Sequence, residues 1–153
     1  MLFGAHDNDE MDKIMQITVA FNHFGQGLTQ RMPRCRWGFF HVLNNDYTHW
    51  EMYAIGGSAA PTILSQGNRF IAPDNPSAKE ITHRNYATEE VWRNWQWQSE
   101  GDLLMNGATF IASGSPIKLR YKKGLIMKPR DGTHVPRLTK FAGALNCLVG
   151  SPC

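Results

Sequence analysis

The sequence Ile17-Thr18-Val19-Ala20-Phe21-Asn22-His23-Phe24 decides the fold, because its pattern recurs twice at a spacing of 23 residues. Residues 40–47 and 63–70 align with it and repeat the asparagine and, two places later, the aromatic residue. In the first two copies the apolar side chains alternate along the chain, which is the period of a strand with one buried face. A short strand that returns at a fixed interval predicts a solenoid in which each repeat forms one coil.

A parallel β-helix is the solenoid that fits this period best. A leucine-rich repeat has a similar length, but its L-x-x-L-x-L spacing is absent. Coils of a parallel β-helix stack at about 4.8 Å, the spacing of paired strands. Two columns would then run along the stack, an asparagine ladder (Asn22, Asn45, Asn68) and an aromatic stack (Phe24, Tyr47, Phe70). We expect these asparagines to bond one another and to be structural rather than ligand-binding.

Composition predicts one globular domain, since the chain has 153 residues of which 42% are hydrophobic and 19% are charged. We expect repeat coils over residues 14–72, an excursion and the last turns over 73–112, and a basic tail over 113–153. The first 112 residues carry a net charge of −4 and the remainder +7. The tail is therefore either a solvated end or a contact for an acidic partner.

Within the excursion, Thr88 followed by Glu89 and Glu90 predicts the start of a helix. Three tryptophans follow, Trp92, Trp95 and Trp97. They could line a sugar-binding platform. We prefer the interpretation that they belong to an amphipathic segment covering the coils.

Neither a membrane span nor a secretory signal is apparent, because no run of 18 apolar residues exists and the chain turns acidic after Ala5. Cys147 and Cys153 flank a glycine and a proline, which suits a disulfide-closed loop and an oxidising compartment. Cys35 is left over. We expect it to be a buried structural thiol, although the adjacent arginines would favour its thiolate.

Residues 31–36, Arg-Met-Pro-Arg-Cys-Arg, bring three guanidinium groups into one short segment. One 23-residue period later stand Ala54, Gly57 and Ala59, so the repeat itself does not require arginine at these places. Arginine offers a planar, permanently charged fork that fits carboxylate or phosphate. We therefore expect an anion site here, with solvated surface arginines as the alternative.

The local geometry of the segment is partly predictable. Pro33 removes a backbone donor and predicts a bend or an edge. The two-residue period of a strand places Arg34 and Arg36 on one face, whereas the direction of Arg31 is left open.

Other motifs are weaker. The stretch Asp7-Asn8-Asp9-Glu10-Met11-Asp12 looks like a calcium loop but lacks the central glycine and the distal glutamate of an EF-hand, so we expect a solvated loop. The six histidines show no zinc spacing. The sequence also contains no nucleophile elbow, P-loop or Cys-x-x-Cys pair.

Taken together, several segments closely resemble the plant pectate lyases. They are residues 16–24, 30–36, 44–50, 52–57, 99–102 and 135–140, together with the terminal cysteine pair. The Arg-x-Pro-x-x-Arg motif of Arg31, Pro33 and Arg36 is the most specific of these features, and the resemblance covers essentially the whole chain.

The resemblance implies an all-β, right-handed parallel β-helix that cleaves de-esterified homogalacturonan, a (1→4)-α-D-galacturonan, by calcium-assisted β-elimination. Arg31 matches the residue that acts as the base. Arg36 matches the residue that holds a substrate carboxylate, and Arg34, between them, is assigned as a further substrate contact. An arginine can act as a base only where nearby positive charge and an alkaline medium favour its neutral form.

In the family, the calcium-binding carboxylates, a substrate-binding lysine, the signal peptide and the N-terminal cap helix all lie upstream of the segment that matches Met1. We therefore expect this chain to be the C-terminal half of a pectate lyase, a partial β-helix without its N-terminal coils and cap. Its cofactor would be Ca²⁺, with ligands outside this chain, and the isolated piece would be inactive.

The expected partner is an acidic polysaccharide, homogalacturonan, rather than nucleic acid or a membrane, and the expected state is a monomer. The parent family is secreted into the plant cell wall. The alternative function is that of a non-catalytic, allergen-like β-helix that binds pectate without turnover. A lyase for neutral pectin is disfavoured, because that branch uses aromatic rather than cationic grooves.

Overall fold

The computed structural model describes residues 1–118 and 127–143, and their strands fall into three parallel sheets. The strands are β1 (Leu2–Phe3), β2 (Gln16–Ala20), β3 (His23–Phe24), β4 (Arg34–Arg36), β5 (Phe39–Leu43), β6 (Asp46–Thr48), β7 (Ile55–Ser58), β8 (Thr62–Gln66), β9 (Arg69–Ile71), β10 (Thr82–Arg84), β11 (Trp97–Glu100) and β12 (Leu103–Met105). The α-helices are α1 (Glu89–Trp92) and α2 (Val135–Leu138), and short 3₁₀ turns span Glu10–Ile14, Pro76–Ala78 and Gly132–His134.

Sheet A has the order β1-β4-β7-β10, sheet B the order β2-β5-β8-β11, and sheet C the order β3-β6-β9-β12. Every neighbouring pair is parallel. The chain passes through sheets A, B and C in turn before it begins the next coil. This arrangement is a parallel β-helix, which confirms the predicted fold class.

The coils extend beyond the repeat at 14–72 in both directions. The first coil begins at β1, and the fourth consists of β10, β11 and β12. Leu2 pairs with Arg34, and Ile55 pairs with Thr82, so these coils differ in length from the 23-residue repeat. Loops inserted between the sheets break the sequence period while the strand pairing continues.

The predicted asparagine ladder is confirmed. The Asn22 Nδ2 donates to Asn45 Oδ1 at 2.9 Å, and the Asn45 Nδ2 donates to Asn68 Oδ1 at 3.0 Å. The column then continues to a fourth residue, because Asp102 Oδ1 accepts from the backbone N–H of Asn68 at 2.6 Å. The side chains of Asn45 and Asn68 are fully buried, so the ladder pairs polar groups that water cannot reach.

The aromatic column beside the ladder is also confirmed. Ring centroids lie 4.8 Å apart between Phe24 and Tyr47 and 4.5 Å apart between Tyr47 and Phe70. The Tyr47 hydroxyl donates to the backbone carbonyl of Met32 at 2.7 Å. The core therefore holds the backbone of the arginine segment directly.

The tryptophans belong to the core rather than to a surface platform. Trp97 is fully buried, Trp95 is nearly so, and Trp92 packs against the same cluster. The Arg84 guanidinium lies 4.5 Å from the Trp92 ring centroid and 4.3 Å from that of Trp97. Burial between these rings lowers the pKa of Arg84 to about 10. Helix α1 follows Thr88 as predicted.

The described part of the tail contacts the coils at the turn between sheets B and C. Asn44 at that turn donates to the carbonyl of Arg130 at 2.7 Å and accepts from its N–H at 2.9 Å. Val135 in α2 is fully buried. Across residues 1–118 and 127–143, no helix has the length and apolar character needed to cross a membrane.

Candidate functional site

The arginine segment leads into sheet A, and its backbone is fixed at Met32. The peptide bond between Met32 and Pro33 is cis, and Arg31 has a positive φ of 68°. The Met32 N–H donates to the carbonyl of Ala54 at 2.7 Å, while its own carbonyl accepts from Tyr47. The bend predicted at Pro33 is present, and β4 begins at the next residue.

Arg31 lies at this bend with an exposed side chain. Its backbone carbonyl accepts a hydrogen bond from the N-terminal amine of Met1 at 2.8 Å. Its guanidinium makes no hydrogen bond or ion pair within residues 1–118 and 127–143. Among the described residues, Arg31 is therefore the arginine of the segment whose guanidinium has no protein partner at all.

Arg34, in contrast, is buried, with only 2% of its surface exposed. Its Nη2 donates to Ser58 Oγ at 2.9 Å, and its Nε donates to Asn85 Oδ1 at 3.3 Å. The Tyr86 ring centroid lies 5.8 Å from the guanidinium carbon. The remaining nitrogen, Nη1, has no partner in the described part of the chain. This burial does not favour the substrate contact predicted for Arg34.

Arg36 is half-buried and paired. Its Nε donates to Asp7 Oδ1 at 2.8 Å, and its Nη1 donates to the carbonyl of Gly4 at 2.9 Å. Asp7 Oδ1 also accepts from Ser58 Oγ at 2.7 Å. Because Ser58 contacts Arg34 as well, Arg34 and Arg36 share the outer face of sheet A, as their spacing predicts.

Cys35 lies between these two arginines and points the other way, into the core. It is fully buried and unpaired. Burial raises the pKa of the Cys35 thiol well above its usual value, although the charge of Arg34 acts in the opposite direction. The predicted buried thiol is confirmed, and Cys35 is held as a neutral, unreactive group. The disulfide predicted between Cys147 and Cys153 lies outside the described residues.

The alignment of the arginine segment with the next coil was wrong by one residue. Arg34 pairs with Gly56 and Arg36 with Ser58, a shift of 22 residues rather than 23. The turn from β7 to β8 has one residue more than the turn from β4 to β5, and this extra residue restores the 23-residue register in sheet B. The partner of Arg36 is consequently a serine that bonds within the site, not the alanine at position 59.

Asp7 and Ser58 are the site residues that the sequence did not reveal. Asp7 was expected to be solvated with the rest of its loop, but its side chain is only 32% exposed and is bonded to Arg36. Ser58 is 1% exposed. Their contacts join positions 29 and 51 residues apart, and no local pattern encodes such distances. The 22-residue register of sheet A would have identified Ser58.

The described residues do not offer a metal site of their own, because they contain no group of three or more histidine, cysteine, aspartate or glutamate side chains placed to hold an ion. The acidic loop does not converge on one point: Glu10 pairs with Lys13, whereas Asp7 pairs with Arg36. The calcium implied by the resemblance therefore does not fit this part of the chain.

Comparison with known proteins places this fold and segment in a family. The sequence profile described as pectate lyase matches residues 1–125. The whole chain is 59% identical to a pectate lyase of Lilium longiflorum and 61% identical to a probable pectate lyase of Arabidopsis thaliana. It spans 35% and 36% of these two proteins, or about a third of their length.

Two solved structures share the fold of this chain. The major allergen from cedar pollen, jun a 1, superposes with a TM-score of 0.90 at 45% identity, over 95% of this chain and 42% of the allergen chain. A pectate lyase from Xanthomonas campestris superposes with a TM-score of 0.65 at 20% identity, over 94% of this chain and 44% of its own, and shows likeness of fold alone. With its parallel β-helix and its Arg-x-Pro-x-x-Arg segment at the bend into sheet A, this chain belongs to the pectate lyase family.

Proposed function

We propose that this chain carries the arginine side of a site that cleaves de-esterified homogalacturonan by β-elimination, with Arg31 as the base. The observation that supports this most is the contrast between two arginines of one segment. The guanidinium of Arg31 is exposed and unpaired within the described residues, whereas that of Arg36 is held by Asp7 and Gly4. A base must reach the substrate, and a carboxylate clamp must be held in place.

In the proposed reaction, the neutral form of Arg31 accepts the proton on C5 of a galacturonate residue. The electron pair of the broken C–H bond forms the double bond between C4 and C5. The bond between C4 and the glycosidic oxygen breaks, and that oxygen leaves with the neighbouring sugar and takes a proton from solvent. Arg36 stays charged beside the carboxylate on C5 and stabilises the negative charge that develops there.

Calcium enters this proposal only as a requirement, and we propose that its ligands lie outside this chain; within residues 1–118 and 127–143 no group of three or more acidic, histidine or cysteine side chains is placed to hold an ion. The steps above assign roles only to the arginines of this chain. The proposed substrate is an acidic polymer, and the secreted protein would meet it in the plant cell wall. We propose that the protein acts there as a monomer, and localisation of a fluorescent fusion would test the compartment.

A second candidate function is binding of pectate without turnover. The likeness to the cedar pollen allergen supports it, because that protein is named for allergenicity rather than for catalysis. Both functions use the same cationic surface. They differ in whether Arg31 removes a proton.

A chimera distinguishes cleavage of pectate from binding without turnover. The 153 residues would replace the matching segment of the lily relative, to which they are 59% identical. We expect the chimera to form the unsaturated product from polygalacturonate in the presence of calcium, measured by its ultraviolet absorbance, and the 153-residue chain alone to form none. Turnover by the chain alone would contradict the view that it holds only part of the site.

Arg31→Lys in the chimera is expected to lower turnover by about 100-fold or more, because a lysine is not an equivalent base at this place. Arg93→Lys is the matched control, since Arg93 is exposed, far along the chain, and directly follows the end of α1. Circular dichroism would show that both variants fold. Undiminished turnover in the Arg31→Lys chimera would refute the base assignment, and a folded chimera that binds but never cleaves would favour the second function.

A further inference from the structure

Asp7 stands apart from the other acidic residues in its loop. Asp9 and Glu10 are exposed, and Asp12 accepts a hydrogen bond from the Ala5 N–H within the same loop, whereas Asp7 turns toward the outer face of sheet A and bonds to side chains of β4 and β7. One oxygen, Oδ1, accepts both hydrogen bonds. The reaction proposed above does not use this carboxylate, so its place beside two arginines needs an explanation of its own.

The contacts of Asp7 fix two guanidinium groups at once. Arg36 is held at Nε by Asp7 and at Nη1 by the Gly4 carbonyl, so its Nη2 is the nitrogen without a hydrogen bond in the described residues. Ser58 donates to Asp7 and accepts from Arg34 Nη2. The carboxylate thereby orients Arg36 directly and Arg34 through one hydroxyl.

Electrostatics support the same arrangement. Two cations on alternate residues of one short strand repel each other, and a carboxylate between them offsets that repulsion. Burial alone would raise the pKa of Asp7, but the hydrogen bonds from Ser58 and Arg36 and the charges of both arginines outweigh it and lower the pKa. Asp7 is thus a carboxylate at neutral pH and remains a hydrogen-bond acceptor.

We propose that Asp7 is a positioning residue, which holds the Arg36 guanidinium so that its free edge binds the carboxylate of an acidic sugar. The inference rests on the proposed function and deepens it. It also predicts whether removal of Asp7 strengthens or weakens the binding of an anionic ligand. If Asp7 were only a counter-charge, its removal would strengthen binding of an anionic ligand; if it positions Arg36, its removal weakens binding despite the gain in positive charge.

The first experiment measures binding of trigalacturonate and of its fully methyl-esterified form by calorimetry, with the 153-residue chain. Asp7→Ala should weaken binding of the acid by about tenfold, and Asp7→Asn, which keeps an acceptor oxygen, by less. Binding of the ester, which lacks the carboxylate, should be the same in all variants. Asp9→Ala is the matched control, because Asp9 is exposed in the same loop and its side chain has no hydrogen bond among the described residues.

A double-mutant cycle completes this test. In an Arg36→Ala background, Asp7→Ala should cause little further loss, because the residue that it positions is gone. Tighter binding of the acid by both Asp7→Ala and Asp7→Asn, or equal losses for acid and ester, would overturn the proposal.

A second experiment needs no ligand. The Nε–H of Arg36 should give a slowly exchanging side-chain NMR signal in the unaltered chain and in Asp9→Ala, and a fast one in Asp7→Ala. Ser58→Ala should leave this signal slow, since the direct bond to Asp7 remains. A slow Arg36 signal in Asp7→Ala would overturn the proposal even if the chain bound no sugar. The expected NMR changes together with absence of sugar binding by the chimera, which holds the whole site, would instead count against the proposed function.

Discussion

Asn45 shows at the scale of one residue why the ladder tolerates little change. Its Nδ2 donates to Asn68 Oδ1 and to the Val19 carbonyl, and its Oδ1 accepts from the backbone and side chain of Asn22. Asn45→Ala would remove a hydrogen-bond partner from the buried Asn68 side chain, from the Val19 carbonyl and from the part-buried Asn22. We expect a loss of about 2–4 kcal/mol in the free energy of unfolding, measured by urea titration.

The matched control for this prediction is Asn22→Ala. Asn22 is only partly buried, and within the described residues the ladder continues from it on one side only. We expect a loss of about 1 kcal/mol there, since water can replace part of what is removed. Equal losses at the two positions would contradict a ladder whose strength comes from burial.

Arg84 gives a second prediction at this scale. Its guanidinium lies between the Trp92 and Trp97 rings, while Nη2 donates to the Ile111 carbonyl at 2.6 Å and to Ser113 Oγ at 3.0 Å. Arg84→Lys keeps the charge but loses the planar stacking and the paired donors. We expect a loss of about 1–2 kcal/mol by urea unfolding, and a change of less than about 0.5 kcal/mol for the exposed Arg93→Lys.

At the scale of an element, the turn between β11 and β12 carries a half-buried acid, Asp102. Asp102 accepts hydrogen bonds from Asn68, Ser65 and Ser99, yet burial raises its pKa above that of a free aspartate. A raised pKa means that the folded state holds the proton more readily. The stability from this group is therefore greatest below about pH 4 and falls as the pH rises through the folded pKa.

Asp102→Asn removes that pH dependence, because an amide does not titrate. The stability of the variant relative to the unaltered chain should therefore increase between about pH 4 and pH 7 in urea titrations at each pH. The exposed Asp9→Asn serves as the control and should change little relative to the unaltered chain. A relative stability of Asp102→Asn that stays constant or falls over this range would show that the hydrogen bonds from Asn68, Ser65 and Ser99 outweigh burial.

The elements also show what a sequence can and cannot reveal here. The repeat was enough to predict the ladder and the aromatic column, because similar side chains recur where strands stack. The two-residue period of a strand was enough to predict the shared face of Arg34 and Arg36. The alignment across sheet A failed because one turn is a residue longer than its predecessor. Asp7 and Asp102 were missed as structural partners because their contacts depend on loops that the repeat does not include.

At the scale of the whole molecule, the site residues come from two coils of the solenoid, and these coils differ in how many neighbouring strands stabilise them. The arginine segment lies in the second coil, whose strands pair on both sides, and its backbone is anchored to the third coil through Met32 and Ala54. Asp7 comes from the loop after β1, in the first coil. The stability of that first coil therefore limits how well Arg36 is positioned.

In a solenoid whose coils contact only their neighbours, stability should rise from the edge toward the middle. Val19 in β2 and Val42 in β5 occupy the same inward column, but among the described strands β2 pairs with β5 alone, whereas β5 pairs with both β2 and β8. Val42→Ala should therefore cost about 2 kcal/mol and the matched Val19→Ala about half of that in urea unfolding. Hydrogen exchange should show the same gradient, with the backbone amides of β5 and β8 protected more strongly than those of β2. Equal costs at the two valines, together with uniform protection, would mean that the described coils unfold as one unit and that the loop carrying Asp7 is as stable as the core.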